Sequence, residues 1–405
     1  MHLAILTRQI GHYHDARYRG AAGEILRVTV ISTANQGGFA EFLAADTGDY
    51  AIERLFADRA AYDEAVINGG LCKKLEATLE ALAADAIAIS GWSNPESVIA
   101  IRWARKNGTA LVMMSETQAD DASRSFQREA IKKRIVTACD AALVGGPPHA
   151  RYIQQLGIQE SRVHMGYNAV ENDHFASGAV EARANADNLR NQHNLPARYI
   201  LASCRFIAKK NLPDLVTAYA ELVATSNQEL PDLLILGDGE TRQAIEKAAR
   251  DGDVETRVHL PGYRGYVDLP AFYALAELFV HVSTVEQWGL VINEAMSAGT
   301  PVLASEPCGA TRTLIEDGTN GIVVEPTRAG ILAGLSRFFS YTEKQQAALA
   351  SAAATVIADW GPKRFGSGMK AAMESAHSAP RRGALAPWDA AIFAKMETIS
   401  VETVA

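Results

Sequence analysis

Short, fully apolar runs alternate with longer helical patterns along this chain, and that alternation restricts the fold more than any other feature of the sequence. The first series consists of LAILT (3–7), TVIS (29–32), AIAIS (86–90), ALVMM (110–114) and AALVGG (141–146). Apolar runs of this length, separated by helical stretches, are typical of parallel strands covered by helices on both faces. The sequence therefore predicts a doubly wound α/β domain in the first part of the chain.

A second series of the same kind begins near residue 199. Its strands are predicted at YILASC (199–204), DLLILGDG (232–239), RVHLPG (257–262), ELFVHVS (277–283), PVLAS (301–305) and GIVVEP (321–326). Helices are predicted between them at 212–225, 240–251, 268–276, 289–299 and 309–316. This pattern indicates a second doubly wound domain, and ligands of such sheets bind at the carboxyl ends of the strands.

The boundary between the two predicted domains falls at 176–197, a polar segment rich in Ala and Asn that has no strand signal. We predict an N-terminal domain over 1–178 and a C-terminal domain over 195–375. A final helix at about 386–405 is predicted to pack back on the first domain. Two such domains in one chain favour a ligand-binding cleft between them.

Composition excludes several classes of function. The 405 residues carry a net charge of -8, so bulk attraction to nucleic acid or to an anionic membrane is not expected. The four cysteines are widely spaced, which favours a reducing compartment over a disulfide framework. The N-terminus lacks a signal-peptide layout, and no run approaches the roughly 18 apolar residues of a membrane span. We expect a cytoplasmic protein.

Basic residues follow the first strand of the second series. The segment RFIAKKNLPDL places Arg205, Lys209 and Lys210 just before a predicted helix. Such cations suit a diphosphate, because Arg binds pairs of oxygens and Lys adds a point charge. The alternative is a solvated basic turn. At the next strand end, Gly237 would allow a ligand to approach the backbone, although an ordinary strand-to-helix turn is the simpler interpretation.

Two glutamates flank the start of a helix in VEQWGLVINEAMSAG (285–299). Gly289 permits a tight entry into that helix, whose first N–H groups attract phosphate. Glu294 lies about one turn inside, with its side chain directed back toward the helix N-terminus, and Glu286 precedes the helix. Carboxylates accept hydrogen bonds from hydroxyl groups, so the pattern suits a sugar nucleotide. The alternative is a capping glutamate together with a buried salt bridge.

These residues resemble a known family. STVEQWGLVINEAMSAGTPVLASEPCGATRTLIEDGTNGIVVEP is similar to the donor-binding region of retaining GT-B glycosyltransferases, called group 1 or family 4, whose hallmark is two glutamates separated by seven residues. SCRFIAKKNLPDLVTAYAEL, LLILGDGE and VHLPGYRG are similar to further motifs of that family, in the same order. The resemblance covers about 199–326. It implies the GT-B fold, which is two doubly wound Rossmann-like domains with an interdomain cleft.

The resemblance also implies roles for individual residues. Arg205 and Lys210 would neutralise the donor diphosphate, and Glu286 would bind the hydroxyls of the donor sugar near the reacting carbon. Glu294 would bind the ribose hydroxyls. The remaining donor-binding candidates are Gly237, Tyr263, Arg264, Gly289, Leu290 and Val291, with the last three meeting phosphates and the Tyr263–Arg264 turn lying along the base.

The N-terminal half resembles the family less closely. It has a single Gly11 where many members have a Gly-Gly pair, and Ser115 and Glu116 where many have a histidine. The acceptor-side candidates are His14, Arg17, Trp92 and Glu116. The alternatives are a helix N-terminus with surface histidines and, for Trp92, a place in the core.

A basic helical segment, REAIKKRIV (128–136), contains Lys132, Lys133 and Arg134. A solvated helix face is the simplest interpretation. The alternative is a patch that contacts lipid headgroups or an anionic lipid-linked acceptor, which would place the protein peripherally at the inner membrane face.

The resemblance predicts transfer of a sugar from a nucleotide sugar, UDP-hexose before GDP-sugar, to an acceptor hydroxyl in polysaccharide or glycolipid assembly. No acidic DxD cluster follows a strand, so neither a metal nor another cofactor is expected. Three alternatives remain open. They are a GT-B sugar-nucleotide 2-epimerase, a non-catalytic sugar-nucleotide-binding protein, and a Rossmann dehydrogenase, although no GxGxxG follows LAILT or YILAS.

Overall fold

The chain forms two units, each built around one parallel sheet. The computed structural model describes residues 1–33, 48–380 and 382–397. The first unit comprises Met1–Ala169 together with the chain from Pro362 onwards, and the second comprises Val170–Gly361. The predicted doubly wound α/β class is therefore confirmed.

The first unit contains a seven-stranded parallel sheet in the order β3-β2-β1-β4-β5-β6-β7. Its strands are β1 (His2–Thr7), β2 (Arg27–Ser32), β3 (Ala51–Arg54), β4 (Ala86–Ser90), β5 (Ala110–Ser115), β6 (Ala141–Val144) and β7 (Val163–Met165). Its helices are α1 (His12–Glu24), α2 (Arg59–Asn68), α3 (Gly70–Leu82), α4 (Pro95–Asn107), α5 (Phe126–Thr137), α6 (Pro147–Gln155), α16 (Pro362–His377) and α17 (Pro387–Met396). The central strands are buried, as their apolar runs predict.

The second unit contains a six-stranded parallel sheet in the order β10-β9-β8-β11-β12-β13. Its strands are β8 (Tyr199–Ser203), β9 (Asp232–Leu236), β10 (Val258–Gly262), β11 (Leu278–His281), β12 (Val302–Ser305) and β13 (Ile322–Val324). Its helices are α7 (Asn172–Ala184), α8 (Ala186–His193), α9 (Leu212–Thr225), α10 (Arg242–Asp251), α11 (Leu269–Ala274), α12 (Leu290–Ser297), α13 (Gly309–Leu314), α14 (Arg328–Ser340) and α15 (Glu343–Ala358).

Each sheet has a topological switch point, where the strand order reverses. It lies between β1 and β4 in the first unit and between β8 and β11 in the second. Connections leave the two adjacent strands in opposite directions there, which opens a crevice at their carboxyl ends. The residues that follow β8 and β11 are those that carry the sequence motifs.

Two strands were absent from the sequence prediction. Ala51–Arg54 and Val163–Met165 form the edge strands of the first sheet and are mostly exposed or half-buried. Edge strands need no continuous apolar run, because one side faces solvent or a single helix. Their sequences therefore lack the signal on which the other strands were predicted.

The predicted linker at 176–197 is helical over most of its length and belongs to the second unit. The division between units falls earlier, after Ala169. Phe175, Ala179 and Ala182 form the buried stripe of α7, which packs against α11. A polar, Ala-rich sequence can form such a helix, since one narrow apolar stripe is enough to bury it.

The second unit ends at Gly361, before the predicted limit of 375, because Pro362–His377 packs on α1 in the first unit. The two helices cross closely at glycines, and a Cβ added to Gly366 would lie 2.1 Å from the carbonyl oxygen of Gly20. Helix α17 packs on α4 through the buried Phe393. Residues 398–405 of the predicted final helix lie outside the described residues. No described helix is long and apolar enough to cross a bilayer.

Candidate functional site

Two loops meet at the switch point of the second sheet. The loop after β8 contains a short 3-10 turn, Ala208–Lys210, and the other loop follows His281 at the end of β11. The amide of Thr284 donates a hydrogen bond to the carbonyl oxygen of Lys209 over 2.8 Å, which fixes the loops to each other. Residues from two distant motifs thereby become neighbours. We call Arg205, Lys209, Lys210, His281 and Glu286 the β8–β11 cluster.

The centre of this cluster is an ion pair between the Lys210 ammonium and Oε2 of Glu286. Both side chains are largely buried, with 11% and 12% of their surface exposed. The backbone of Glu286 is fixed independently by a β-bridge to Cys308. Lys209, which is more exposed, places its ammonium 4.0 Å from Oε1 of Glu286. The predicted catalytic residues Lys210 and Glu286 are therefore in direct contact.

The carboxylate of Glu286 is held in its charged form. Burial works against that charge, but the neighbouring His281 and Lys210 outweigh it, so the pKa of the Glu286 carboxyl lies well below its usual range. Nε2 of His281 is 3.6 Å from Oε2 of Glu286, and only 3% of the His281 side chain is exposed. Burial lowers the pKa of His281, so the ring is neutral near pH 7.

His281 was missed by the sequence analysis, which assigned it only to the strand ELFVHVS. The sequence does contain a signal for it: His281 is a titratable residue at the carboxyl end of a predicted buried strand, just before the two-glutamate motif. Arg205 completes the cluster. It is exposed, and among the described residues no carboxylate lies within ion-pair distance of its guanidinium.

Helix α12 begins beside this cluster. Gly289 has φ of 96°, which a glycine adopts without strain, and a Cβ there would lie 3.5 Å from Cγ of Glu286 and from Nε2 of His281. Leu290 and Val291 form the first turn and are half-buried. Because the first N–H groups of a helix lack intrahelical partners, this terminus adds positive potential next to the cations.

Glu294 is a buried acid. Its side chain is completely buried, and its carboxylate accepts a hydrogen bond of 2.5 Å from the hydroxyl of Tyr273. Tyr273 belongs to α11 and is itself fully buried. The tyrosine hydroxyl is therefore one of the partners of this buried acid, and ribose binding by Glu294 stays a prediction.

Gly237 allows two segments of the backbone to pass close to each other. Its φ is 121°, and a Cβ there would lie 1.9 Å from the carbonyl oxygen of Cys204, so only glycine lets the end of β9 pass the loop after β8. Tyr263 is half-exposed and donates a hydrogen bond of 3.0 Å to the carbonyl oxygen of Asp238. Arg264 donates to the carbonyl oxygens of Pro261 and Tyr263, which directs its guanidinium onto its own turn.

In the first unit, Arg17 and His14 have structural partners. Arg17 is buried, donates through Nε to the carbonyl oxygen of Ala169 over 3.0 Å and lies over the ring of Tyr167. It thus holds the 167–169 segment, and its acceptor-side role stays a prediction. His14 accepts from the amide of Gly11 at 3.4 Å, and burial lowers its pKa to about 3. This is the helix N-terminus considered as the alternative.

Trp92 and Glu116 are also engaged within the first unit. Trp92 is half-buried at the edge of the core, with the ring of Tyr152 centred 6.4 Å away. Glu116 accepts a hydrogen bond of 2.7 Å from the amide nitrogen of Asn168. Both keep some exposed surface, so they remain acceptor-side candidates, with Trp92 closer to the core alternative.

The three basic residues of α5 do not form an unpaired patch. Lys132 pairs with Glu129 at 2.9 Å and lies over the ring of Trp92. Arg134 pairs with Asp389 of α17 at 2.5 Å. Lys133 alone is exposed without an ion-pair partner among the described residues. Internal pairing of this kind lowers the attraction of the segment for anionic headgroups.

A polar cluster at the switch point of the first sheet was not predicted. We call Arg8, Tyr62, Asn94 and Glu96 the β1–β4 cluster. Arg8 donates to Oδ1 of Asn94 at 3.1 Å, and its Nε lies 3.4 Å from Oε1 of the buried Glu96. The Tyr62 hydroxyl donates to Oε2 of Glu96 at 2.6 Å. The single cation here is neutralised by a carboxylate.

Metal ligands do not come together in the part of the chain that the structure describes. No group of three or more His, Cys, Asp and Glu side chains within residues 1–33, 48–380 and 382–397 could hold an ion. Metal independence stays a prediction.

Comparison with known proteins finds a family model that matches most of the second unit. Residues 185–356 match the model of the glycosyl transferases group 1. The alpha-D-kanosaminyltransferase of Streptomyces kanamyceticus is 30% identical over 215 residues, which is 53% of this chain and 53% of that protein. The lipopolysaccharide core biosynthesis glycosyltransferase LpsE of Rhizobium meliloti is 33% identical over 129 residues, 32% of this chain and 35% of that protein. The chain thus matches about half or less of the length of these relatives.

Solved structures extend the fold match to almost the entire chain. Anabaena Alr3699/HepE, crystallised with UDP, has a TM-score of 0.72 at 18% identity and covers 93% of this chain and 100% of that one. A glycosyltransferase of Rickettsia africae has the same TM-score at 14% identity and covers 93% of this chain and 99% of that one. Identities this low show the fold alone. The chain has the GT-B fold of two doubly wound domains, and its residues 185–356 match the family model of the group 1 glycosyl transferases.

Proposed function

We propose that this chain is a retaining glycosyltransferase that moves a hexose from a nucleoside diphosphate sugar to an acceptor hydroxyl in polysaccharide or glycolipid assembly. The observation that carries the proposal is the Lys210–Glu286 ion pair at the switch point of the second sheet. An exposed Arg205 and the N-terminus of α12 belong to the same strand ends. This combination of cations, helix terminus and charged carboxylate fits a ligand with both phosphates and hydroxyls.

In this proposal, the positive groups stabilise the leaving nucleoside diphosphate. Negative charge grows on the phosphate oxygen as the bond to the sugar breaks. Arg205, Lys210 and the N–H groups at 289–291 are positioned before the reaction and need little rearrangement, which is the condition for large electrostatic stabilisation. They supply the charge that a divalent ion provides elsewhere, so we propose that the reaction is independent of metal.

Glu286 is assigned to the donor sugar. Its carboxylate stays ionised because its pKa is low, and an ionised carboxylate only accepts hydrogen bonds, so it suits sugar hydroxyls. Glu294 is assigned to the ribose, with Tyr273 orienting its carboxylate. Because Glu294 is fully buried, that contact requires the groups that cover its carboxylate to move when the donor binds.

UDP is favoured over GDP as the nucleotide. Support comes from Anabaena Alr3699/HepE, which has been crystallised with UDP and with UDP-glucose. The kanosaminyltransferase and LpsE support a saccharide acceptor. For location we propose the cytoplasm, in keeping with four free cysteines. Peripheral membrane contact through α5 is not part of the proposal, because Lys132 and Arg134 already pair with carboxylates.

A thermal-shift screen of UDP, GDP, ADP and their sugars tests the donor, and we expect UDP and UDP-hexoses to raise the melting temperature most. The stabilising nucleotide sugar is then incubated with and without a panel of saccharide acceptors, and the anomeric configuration of the product is read by proton NMR. Conversion of the donor without acceptor would identify a 2-epimerase, and binding without any reaction a non-catalytic module. Absence of a shift with every nucleotide would overturn the proposal.

A further inference from the structure

We propose that His281 is a positioning residue for Glu286 and holds its carboxylate in place once Lys210 turns to the donor diphosphate. The inference rests on the proposed function, because it concerns the state in which a nucleotide sugar is bound. His281 lies outside both the two-glutamate motif and the basic segment after β8, so neither motif points to this role.

The imidazole is fixed next to the carboxylate. His281 ends β11, and its Nε2 lies 3.6 Å from the same Oε2 of Glu286 that contacts Lys210. The hydroxyl of Ser283 lies 3.1 Å from this Nε2, and Ser283 is itself fixed by a hydrogen bond of 2.7 Å from Ser305 to its carbonyl oxygen. The distance to Glu286 is just beyond a hydrogen bond, so a small movement of the carboxylate would form one.

The role of His281 depends on Lys210 changing its partner from Glu286 to the donor diphosphate. Lys210 is now paired with Glu286, but a diphosphate carries more negative charge than one carboxylate and competes for this ammonium. Glu286 is only 12% exposed, and weakening its contact with Lys210 leaves a largely buried charge less stabilised. Lys209 is 39% exposed and 4.0 Å from the other oxygen, whereas His281 is buried and lies beside the same oxygen that contacts Lys210.

The space around the two side chains also favours their contact. A Cβ at Gly289 would lie 3.5 Å from both Nε2 of His281 and Cγ of Glu286, so residue 289 borders both groups and, as a glycine, places no side chain between them. Burial keeps the imidazole neutral, and a neutral ring still donates one N–H. We infer that this proton sits on Nε2 in the donor-bound state.

Two substitutions separate positioning from packing. His281→Leu keeps apolar volume but removes the donor, whereas His281→Gln places an amide N–H near the position of Nε2. We expect the transfer rate of His281→Leu to fall about 100-fold, since misorientation of a contact group has effects of that size. His281→Gln should recover at least about tenfold of this loss. The control, His259→Gln, alters a half-exposed histidine on β10 and should leave the rate unchanged.

Binding measurements give the discriminating readout. UDP affinity of His281→Leu should stay within about twofold of wild type, because UDP carries no sugar for Glu286 to bind, whereas affinity for the UDP-sugar should fall. Equal losses of UDP affinity in both variants, or a wild-type transfer rate in His281→Leu, would overturn the positioning role while leaving the proposed function standing. A wild-type protein that binds no nucleotide sugar would instead remove the proposed function.

Nitrogen-15 NMR of the histidine ring tests the geometry without any turnover. In the UDP-sugar complex, His281 should be the neutral tautomer with its proton on Nε2, and Glu286→Gln should shift that resonance. Finding the proton on Nδ1 in the complex would also overturn the assignment.

Discussion

The two sheets have the same strand order around their first strand, yet the crevices at their switch points carry different charges. In the second unit, Lys209 and Lys210 both lie within 4.0 Å of the Glu286 carboxylate, and Arg205 has no carboxylate within ion-pair distance among the described residues. In the first unit, Arg8 is the cation of the β1–β4 cluster, and it is neutralised by the buried Glu96 at 3.4 Å.

This difference shows that topology provides a crevice and side chains decide its ligand. An excess of cations beside a helix N-terminus attracts a diphosphate, which supports the proposal that the second unit binds the nucleotide. In the first unit, the β1–β4 cluster offers hydrogen bonds from its arginine, tyrosine and asparagine, but the buried glutamate leaves the cluster without net charge. The comparison therefore assigns phosphate binding to one unit, and each experiment below tests that assignment.

The largest effect is expected for Lys210→Ala. Removal of a positioned charge next to the leaving group should lower the turnover number about 100- to 1,000-fold. The matched control is Lys247→Ala, which removes an exposed lysine paired with Asp251 within α10 and should leave turnover unchanged. Turnover of Lys210→Ala close to wild type would show that the charge excess of the second unit is not used in catalysis.

Glu286→Gln separates the sugar contact from the phosphate contact. Turnover should fall about 100-fold, because the amide no longer provides two charged acceptor oxygens. UDP affinity, measured by calorimetry, should stay the same or rise, since Lys210 no longer has a competing carboxylate. A marked loss of UDP affinity would contradict the competition between Glu286 and the diphosphate.

The sequence predicted the second unit far better than the first, for a physical reason. Buried central strands and the two-glutamate motif are local patterns, readable from apolar runs and fixed spacing. The direct contact of Lys210 with Glu286 was not predicted, because it depends on the adjacency of β8 and β11, which the sequence analysis did not assign. The family resemblance covered the same segment and assigned its residues.

Features that depend on distant partners could not be predicted. Nothing near Glu294 in the sequence indicates that Tyr273 binds its carboxylate, and nothing near Arg8 indicates Glu96. The return of Pro362–His377 to the first unit depends on a close crossing with α1 at Gly20. Arg17 donates to the backbone carbonyl of Ala169, which is far from it in the sequence. Local periodicity carries no information about such pairs.

Glu294→Gln and Tyr273→Phe test whether the buried Glu294 binds the ribose or has only a structural role. If Glu294 binds the ribose, Glu294→Gln should weaken UDP binding about tenfold through loss of a charged hydrogen bond, and Tyr273→Phe should weaken it less. Both should lower the free energy of unfolding by about 1 kcal/mol, because each disturbs one buried hydrogen bond. Calorimetry and thermal unfolding measure the two quantities. Lower stability with unchanged UDP affinity would make Glu294 purely structural.

Arg8→Ala tests the other side of the comparison. It should leave UDP affinity unchanged, because phosphate binding is assigned to the second unit. Stability should fall by about 1–3 kcal/mol, since Glu96 remains buried without its cation. Adding Glu96→Gln should restore part of that loss. Weaker UDP binding in Arg8→Ala would mean that the first crevice also contacts the diphosphate.

The smallest effect is expected from removal of metal. The charge at the second crevice comes from Arg205, Lys210 and the start of α12, so excess EDTA should leave the transfer rate unchanged. Added Mg²⁺ should restore little activity to Lys210→Ala, because the described residues of this crevice offer one carboxylate and no group of metal ligands. Loss of activity in EDTA, with recovery on adding Mg²⁺, would show that a bound ion supplies the charge that the comparison assigns to side chains.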